Sequence, residues 1–180
     1  MSSLFVLGGA RSGKSRYALK THPSDEPVVF VATAQPADVD MASRIARHRA
    51  ERPPRWTTVE EPYDLVARLE RLPAEVEFVV VDCLTVWVGN RLLRGDDDRS
   101  ILADAGRLAA LIRAQRANIT LVSNEVGAGV HPETADGMRF RDLLGLVNQQ
   151  VAAACETVVL MVAGLPLTVK AREQIRVDQP

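Results

Sequence analysis

The sequence is poor in cysteine and has no long apolar run. Only two cysteines, Cys83 and Cys155, occur among 180 residues, and neither belongs to a CxxC pair that would indicate a zinc site or a redox motif. We therefore expect a reducing, cytoplasmic setting. No apolar run approaches the roughly 18 residues that a membrane-spanning helix needs, and the N-terminus does not resemble a signal peptide. A membrane anchor is not expected.

The chain also lacks an excess of positive charge. It has 22 Lys and Arg residues against 23 Asp and Glu residues, whereas proteins that bind the nucleic-acid backbone carry a basic surface. We therefore expect no nucleic-acid partner, and any bound nucleotide should be a small ligand. A chain of 180 residues that is 47% hydrophobic, without repeats or low-complexity segments, predicts a single domain over residues 1–180 with a sizeable core.

A phosphate-loop motif follows the first apolar run. The pattern G-x-x-x-x-G-K-S lets glycine backbone N–H groups turn toward phosphate oxygens, and the next helix directs its positive end at the same anion. In such loops the lysine, here Lys14, contacts the β- and γ-phosphates, and the Ser15 hydroxyl binds Mg²⁺. A glycine-rich turn without a ligand is the alternative, but the strand before it and the helix after it favour a nucleoside triphosphate. The predicted nucleotide-binding residues are Gly8, Gly9, Ala10, Arg11, Ser12, Gly13, Lys14 and Ser15.

Short apolar runs rich in β-branched residues recur along the chain with helix-length segments between them. They cover residues 4–7, 28–32, 78–81, 119–122 and 158–162. Continuous runs of this length are typical of parallel strands that are buried on both faces. Together with the phosphate loop, they predict an α/β, P-loop NTPase-like (RecA-like) fold of three layers with a mostly parallel central sheet. Ligands of such sheets lie at the carboxyl ends of the strands.

Polar residues follow three of these runs. Asp82 ends the third run in the pattern of a Walker B carboxylate that holds Mg²⁺. The fourth run leads into the polar, glycine-rich segment 123–129, which contains Glu125; this segment either meets the ligand or forms a surface loop. Thr33 and Ala34 follow the second run. The fifth run leads to a predicted turn at residues 164–166.

The segments between the runs predict helices at residues 38–51, 100–114 and 137–156. At the first, Arg44, His48 and Arg52 are spaced four residues apart and would share one side of the helix, although Pro53 and Pro54 are expected to end it near residue 51 or 52. Two guanidinium groups beside the imidazole would disfavour its protonated form and attract phosphate. The alternative is an ordinary helix histidine. The acidic segment 95–99 is interpreted as a solvated turn that favours the start of the next helix, without a metal.

The chain closely resembles the bifunctional adenosylcobinamide kinase/adenosylcobinamide-phosphate guanylyltransferases. The resemblance runs in family order over nearly the whole chain. It is carried by residues 8–18, 31–34, 44–45 with His48, 56–60, 81–85, 123–127, 139–142 and 148–149.

The resemblance implies two reactions of cobalamin assembly. In the first, ATP or GTP phosphorylates adenosylcobinamide; in the second, GMP is transferred from GTP to adenosylcobinamide phosphate, with release of pyrophosphate, through a guanylylated histidine that matches His48. It further implies Mg²⁺, catalytic roles for His48 and Lys14, metal ligation by Ser15 and Asp82, and a homo-oligomer such as a trimer. The additional nucleotide contacts that we predict are Thr33, Ala34, Arg44, Arg52, Glu60, Asp82 and Glu125.

Two other functions were weighed against this one. A P-loop small-molecule kinase without nucleotidyl transfer would leave His48 with a structural role. A GTP-switched binding module of the Ras-like class would read guanine with an Asn-Lys-x-Asp element, and no such string follows any apolar run. For the kinase step the residues name no general base, and Glu125 is a candidate because it follows a neighbouring strand.

Overall fold

The computed structural model describes residues 1–36 and 39–171, without the side chains of residues 39, 40, 41 and 44. Strands and helices alternate over most of this part of the chain. The strands are β1 (Ser3–Gly8), β2 (Val29–Ala32), β3 (Thr57–Glu60), β4 (Phe78–Asp82), β5 (Asn118–Val122), β6 (Thr157–Val162) and β7 (Leu165–Lys170). The helices are α1 (Lys14–Lys20), α2 (Val39–Ala50), α3 (Leu65–Glu70), α4 (Leu84–Arg94), α5 (Asp98–Ala114) and α6 (Ala135–Ala154).

The described strands form one sheet of seven, in the order β3-β2-β4-β5-β1-β6-β7. All neighbouring pairs are parallel except β6 and β7, which form an antiparallel hairpin at one edge. The predicted mostly parallel sheet is therefore confirmed. Strand β5 lies between β1, which leads into the phosphate loop, and β4, which ends in Asp82. The carboxyl ends of these three strands meet at the same edge.

Successive side chains of the central strands are buried on opposite faces of the sheet, as the strand period of two requires. Phe5, Val79 and Val81 pack in the main core, which also contains residues of α3, α4, α5 and α6. Their neighbours Val6 and Val80 are buried on the other face, where α1 packs. Burial on both faces explains why these strands are continuously apolar, and it gives the three layers expected from the sequence.

Two strands were not predicted, and one predicted turn was wrong in its extent. Strand β3 is short and half exposed, and every residue of β7 is exposed, so neither has the apolar run of a buried strand. The turn consists of Ala163 and Gly164, both with positive φ (50° and 84°), which is the conformation of a tight hairpin. Pro166 lies in β7, where an edge strand tolerates a residue without an N–H.

The helix boundaries follow from capping groups that the apolar pattern does not reveal. Helix α5 begins at Asp98, because the Asp97 side chain accepts a hydrogen bond from Ser100 N, and this agrees with the interpretation of the acidic segment as a helix start. Thr134 caps α6 in the same way. At the other end of α6, Lys170 Nζ donates to the carbonyls of residues 152 and 153, so β7 is tied to this helix. None of the helices in ranges 1–36 and 39–171 is both long and apolar enough to cross a bilayer.

Candidate active site

The phosphate loop lies between β1 and α1 and closes around its own lysine. Lys14 is buried, and its Nζ donates a hydrogen bond of 2.6 Å to the carbonyl of Gly9. Gly13, with φ of 95°, stands directly before the first residue of α1, a conformation that favours glycine. Burial lowers the pKa of Lys14, and the charges of Cys83 and Asp82 oppose that effect. The loop thus brings a cation to the carboxyl edge of the sheet.

Ser12, within the same loop, provides an independent sign of a ligand. Its Oγ is buried and has no hydrogen-bond partner among the residues that the structure describes. A buried hydroxyl without a partner is costly in a folded protein. An anion seated in the loop would satisfy it.

Four predicted site residues act on the Asp82 carboxyl. Burial raises the pKa of Asp82 above its ordinary value, and the Ser15 hydroxyl beside it and the charges of His48, Arg52 and Lys14 lower it. These groups come from the phosphate loop, from α2 and from the turn that follows α2. The ionised form of the carboxylate at the end of β4 is thus favoured by residues from three separate segments of the sequence.

The imidazole of His48 is half-buried in the last turn of α2. Its charge favours the ionised form of Asp82, and its role as the nucleophile stays a prediction. The side chain of Arg44 lies outside the described residues, so the predicted flanking of His48 by two guanidinium groups stays a prediction. Of the other histidines, His22 bonds to Thr120 and His131 lies in the exposed loop before α6.

Arg52 follows the end of α2, and its side chain is fixed by groups outside that helix. The guanidinium carbon lies 3.7 Å from the centre of the Phe30 ring, and NH1 donates to Thr58 Oγ1 at 2.8 Å. Its Nε is buried without a partner among the described residues. Burial lowers the pKa of Arg52, while Asp82 opposes this. A stacked guanidinium with an unpaired N–H is suited to bind an anion.

Thr33 is fully buried, and its hydroxyl joins the ends of β2 and β4. It donates to the carbonyl of Cys83 at 2.7 Å and accepts from the amide of Cys83 at 2.9 Å. Its hydroxyl is therefore engaged by the protein, and a direct nucleotide contact by Thr33 stays a prediction. Burial and the charge of Asp82 raise the pKa of Cys83 to about 12, so this thiol is not an additional nucleophile.

Ala34 and Glu60 line a cavity of about 490 Å³ at the ends of β2 and β3, together with residues 35, 36 and 62. The Tyr63 hydroxyl donates to Gln35 Oε1 at 3.1 Å beside it. The cavity is large enough for a nucleobase or part of a larger substrate. Glu60 is exposed and also forms a long ion pair with Arg49 (3.8 Å).

Glu125 directs its side chain back to its own loop. Its Oε1 accepts a hydrogen bond from Gly127 N at 2.7 Å, whereas its backbone N–H donates to the Gly8 carbonyl at 3.1 Å. The segment after β5 is therefore attached to the start of the phosphate loop through the backbone. The expected contact of the Glu125 carboxylate with the nucleotide stays a prediction.

The sequence reasoning missed Phe30 as the surface on which Arg52 stacks. In the sequence Phe30 is one more apolar residue of a buried strand, and no signal separates it from its neighbours.

The geometry also shows that the residues present fit Mg²⁺. Among the described residues no three His, Cys, Asp or Glu side chains cluster, but one carboxylate with an adjacent hydroxyl, here Asp82 with Ser15, is the usual protein contribution when phosphates supply the other ligands.

Comparison with known proteins shows which family the chain matches. Residues 4–169 match the CobU family model, described as cobinamide kinase / cobinamide phosphate guanyltransferase. The chain is 43% identical over 166 residues to the bifunctional adenosylcobalamin biosynthesis protein CobP of Pseudomonas aeruginosa, with 92% of this chain and 95% of the relative covered. It is 39% identical over 181 residues to CobU of Escherichia coli, with 93% and 99% covered.

The fold has a solved counterpart. The KaiC-like protein PH0186 of Pyrococcus horikoshii superposes with a TM-score of 0.58 at 16% identity, covering 96% of this chain and 80% of the other. This match confirms the predicted RecA-like fold. The match to the family model goes further, because residues 4–169 include the phosphate loop, His48 and Asp82. The chain therefore belongs to the CobU family of cobinamide kinases and cobinamide phosphate guanyltransferases, which act in adenosylcobalamin biosynthesis.

Proposed function

We propose that both reactions of this enzyme use one triphosphate site, formed by the phosphate loop, Asp82 and His48. The observation that carries the proposal is that the Ser15 hydroxyl bonds to the Asp82 carboxyl and that the charges of His48, Arg52 and Lys14 all favour its ionised form. A loop lysine and a carboxylate are needed in both steps, because both begin with a bound nucleoside triphosphate. The imidazole is needed only for the second step.

In the first step, the hydroxyl of adenosylcobinamide attacks the γ-phosphorus of ATP or GTP. Lys14 and the loop amides bind the β- and γ-phosphates, and Ser15 and Asp82 would hold Mg²⁺. When bound, Mg²⁺ neutralises charge that develops on the phosphate oxygens. Most of the acceleration then comes from positioning and electrostatic stabilisation. Glu125 is our candidate for accepting the proton of the attacking hydroxyl.

In the second step, a nitrogen of His48 attacks the α-phosphorus of GTP. A P–N bond forms, the bond between the α-phosphorus and the bridging oxygen breaks, and pyrophosphate leaves. An oxygen of adenosylcobinamide phosphate then displaces the imidazole and gives adenosylcobinamide-GDP. A covalent intermediate divides one difficult displacement into two easier ones. Arg52, whose buried Nε has no partner among the described residues, would offset charge on the phosphates, and we expect the same of Arg44 from the sequence.

We propose that the part of the nucleotide beyond its phosphates binds at the carboxyl ends of β2 and β3. Ala34 and Glu60 line the cavity at the ends of these strands, which β4 and β5 separate from the phosphate-loop strand β1. Thr33, next to Ala34, fixes the end of β4 through its bonds to Cys83. Of the nucleotide contacts expected from the sequence, this placement uses Ala34 and Glu60. It leaves the preference between ATP and GTP in the first step to be measured.

We also propose that the enzyme is a cytoplasmic homo-oligomer, such as a trimer, of a single domain formed by residues 1–180. Its two cysteines are both free thiols, which suits a reducing compartment. The β6–β7 hairpin exposes four apolar side chains, and a contiguous apolar patch of this kind marks an interface. They are Val162, Leu165, Leu167 and Val169, exposed by 54%, 71%, 57% and 64%.

The experiment is intact-protein mass spectrometry after incubation with GTP and Mg²⁺. We expect one added guanylate on the wild-type protein and none on His48→Ala, which should still bind nucleotide. His131→Ala is the matched control, because it removes a histidine from an exposed loop and should keep the adduct. Lys14→Ala should lose phosphorylation as well as the adduct.

Two results would contradict the proposal. If His48→Ala keeps the covalent guanylate, another residue is the nucleophile. If Lys14→Ala keeps phosphorylation at the wild-type rate, the triphosphate does not bind in the phosphate loop.

A further inference from the structure

Asn148 of α6 is a buried polar residue whose carboxamide is satisfied on both sides. Its Oδ1 accepts a hydrogen bond from Ser123 Oγ at 2.7 Å, and its Nδ2 donates to the backbone carbonyl of Asn124 at 3.0 Å. Only 7% of Asn148 and none of Ser123 is exposed. A leucine at this position of the helix would fill the core as well, and a buried polar group is costly unless it is hydrogen-bonded. The carboxamide of Asn148 therefore serves to hold the end of the strand through its hydrogen bonds.

The other side of the same strand end is held by α4. Thr85 Oγ1 accepts a hydrogen bond from the amide of Asn124 at 2.6 Å and lies 3.3 Å from Ser123 Oγ. The N–H and the C=O of Asn124 are therefore fixed by two different helices. The backbone at the carboxyl end of β5 has little freedom to move.

This strand end lies between the two halves of the triphosphate site. Strand β5 pairs with β1 on one side and with β4 on the other. Glu125 N donates to the carbonyl of Gly8, the first residue of the phosphate loop, and Thr85 follows Asp82 by three positions. Asn148 is thus connected to the phosphate loop through two consecutive residues, and to the Asp82 end of β4 through Thr85.

The side chain of Asn124 takes no part in the hydrogen bonds that hold its backbone. It is half-buried, and within residues 1–36 and 39–171 its carboxamide has no hydrogen-bond partner, although its backbone is held on both sides. A polar side chain on an immobilised backbone beside the phosphate loop is available to the ligand. The immobilisation would fix where that side chain and Glu125 lie relative to the transferred phosphoryl group.

We propose that Asn148 is a positioning residue for phosphoryl transfer. It acts through the Asn124 carbonyl, and it fixes the carboxyl end of β5 between the phosphate loop and Asp82. The proposal rests on the triphosphate site described above. It differs from a purely structural role because it predicts an effect on the rate of the bound complex, beyond any effect on folding.

The test compares Asn148→Leu and Thr85→Val with the control Asn118→Ala. Asn118 lies at the opposite end of β5, where its side chain bonds to Ser2 and to the carbonyl of Glu77. For each purified full-length variant, the thermal midpoint and the kcat and KM of cobinamide phosphorylation with ATP and Mg²⁺ are measured well below the midpoint. We expect kcat to fall about 10- to 100-fold in Asn148→Leu and Thr85→Val. KM for ATP should stay within about twofold, and Asn118→Ala should change the midpoint but not kcat.

Each outcome decides between the two roles. If Asn148→Leu and Thr85→Val lose midpoint temperature but keep kcat, as Asn118→Ala does, the residue is structural and the proposal is overturned. Should Asn148→Leu fail to fold, Thr85→Val decides alone, since it removes one hydroxyl with little change of shape. A normal rate in Lys14→Ala would instead contradict the triphosphate site itself, so the two failures are distinguishable.

Discussion

The amide of Gly164 donates a hydrogen bond of 3.0 Å to the carbonyl of Ser12, which joins the β6–β7 turn to the phosphate loop. On the same side, Met161 of β6 lies against Gly8. The loop is therefore shaped by a second strand as well as by the strand that leads into it. Substitutions in this hairpin should therefore affect nucleotide binding, although none of its residues belongs to the phosphate-loop motif.

Gly8→Ala should strongly weaken nucleotide binding. A methyl group at Gly8 would stand 2.6 Å from Ser12 Oγ and 2.7 Å from the backbone oxygen of Met161, and a backbone atom in a paired strand cannot easily move. Gly9→Ala is the control, because no atom of the described residues other than its chain neighbours lies within 4 Å of its added methyl group. We expect titration calorimetry with ATP to show at least about a tenfold larger Kd for Gly8→Ala than for Gly9→Ala. Equal affinities would show that the close approach at Gly8 does not shape the loop.

The sequence predicted those parts of the molecule that depend on local chemistry. The phosphate loop, the five buried strands and Asp82 each have a short pattern that reflects burial on both faces or phosphate binding, and the structure brings Lys14, Ser15 and Asp82 together as expected. The family comparison confirms both activities, so the alternative of a kinase without nucleotidyl transfer is not supported. The Ras-like switch is likewise not supported.

The parts that the sequence did not predict depend on tertiary contacts. Because every residue of β7 is exposed, the strand has no apolar run that would predict it. It forms because the tight turn at Ala163 and Gly164 reverses the chain direction. Arg52 was expected to share a helical row with His48, but the helix ends at Ala50, so Phe30 and Thr58 decide where the guanidinium lies. Such contacts join residues far apart in the chain, and no local pattern encodes them.

Arg52→Lys should impair guanylyl transfer although it keeps the charge. A lysine lacks the planar group that stacks on Phe30, and its single ammonium cannot place one donor at Thr58 and another at the position of the Arg52 Nε. We expect kcat/KM for GTP in guanylylation to fall about tenfold or more. Arg49→Lys is the matched control, since Arg49 is exposed and its ion pair with Glu60 is long at 3.8 Å, and such pairs contribute little. Initial rates over a range of GTP concentrations give both values, and similar losses in the two variants would argue against a specific role for Arg52.

Leu167→Glu should disrupt self-association. Leu167 lies in the middle of β7 on the exposed apolar face of the hairpin, and a charge buried at an interface without a partner opposes assembly. Leu93→Glu is the control, because Leu93 is 90% exposed near the end of α4, outside the hairpin. Sedimentation velocity should show the assembled species for the wild type and Leu93→Glu, and a shift toward the monomer for Leu167→Glu. An unchanged distribution for Leu167→Glu would place the interface elsewhere.

Asp82→Asn should stabilise the protein at neutral pH while it abolishes metal-dependent activity. Because burial raises the pKa of Asp82 above 3.8, the unfolded chain releases this proton more readily than the folded chain, and ionisation at neutral pH therefore opposes folding. The advantage of Asp82→Asn in thermal midpoint should be largest above the raised pKa. It should disappear as the pH falls below 3.8, where the carboxyl group is protonated in both states.

Asp96→Asn provides a control of opposite sign for this prediction. The hydrogen bond from Arg94, assisted by Arg91, lowers the pKa of Asp96 to about 2, so its ionised form favours folding. Asp96→Asn should therefore lower the midpoint at neutral pH, with a difference that shrinks as the pH falls from 3.8 through about 2. If both variants lower the midpoint at pH 7, Asp82 is held by its partners more strongly than burial opposes its charge. In that case Asp82 would not be a site where stability is lost for the sake of metal binding.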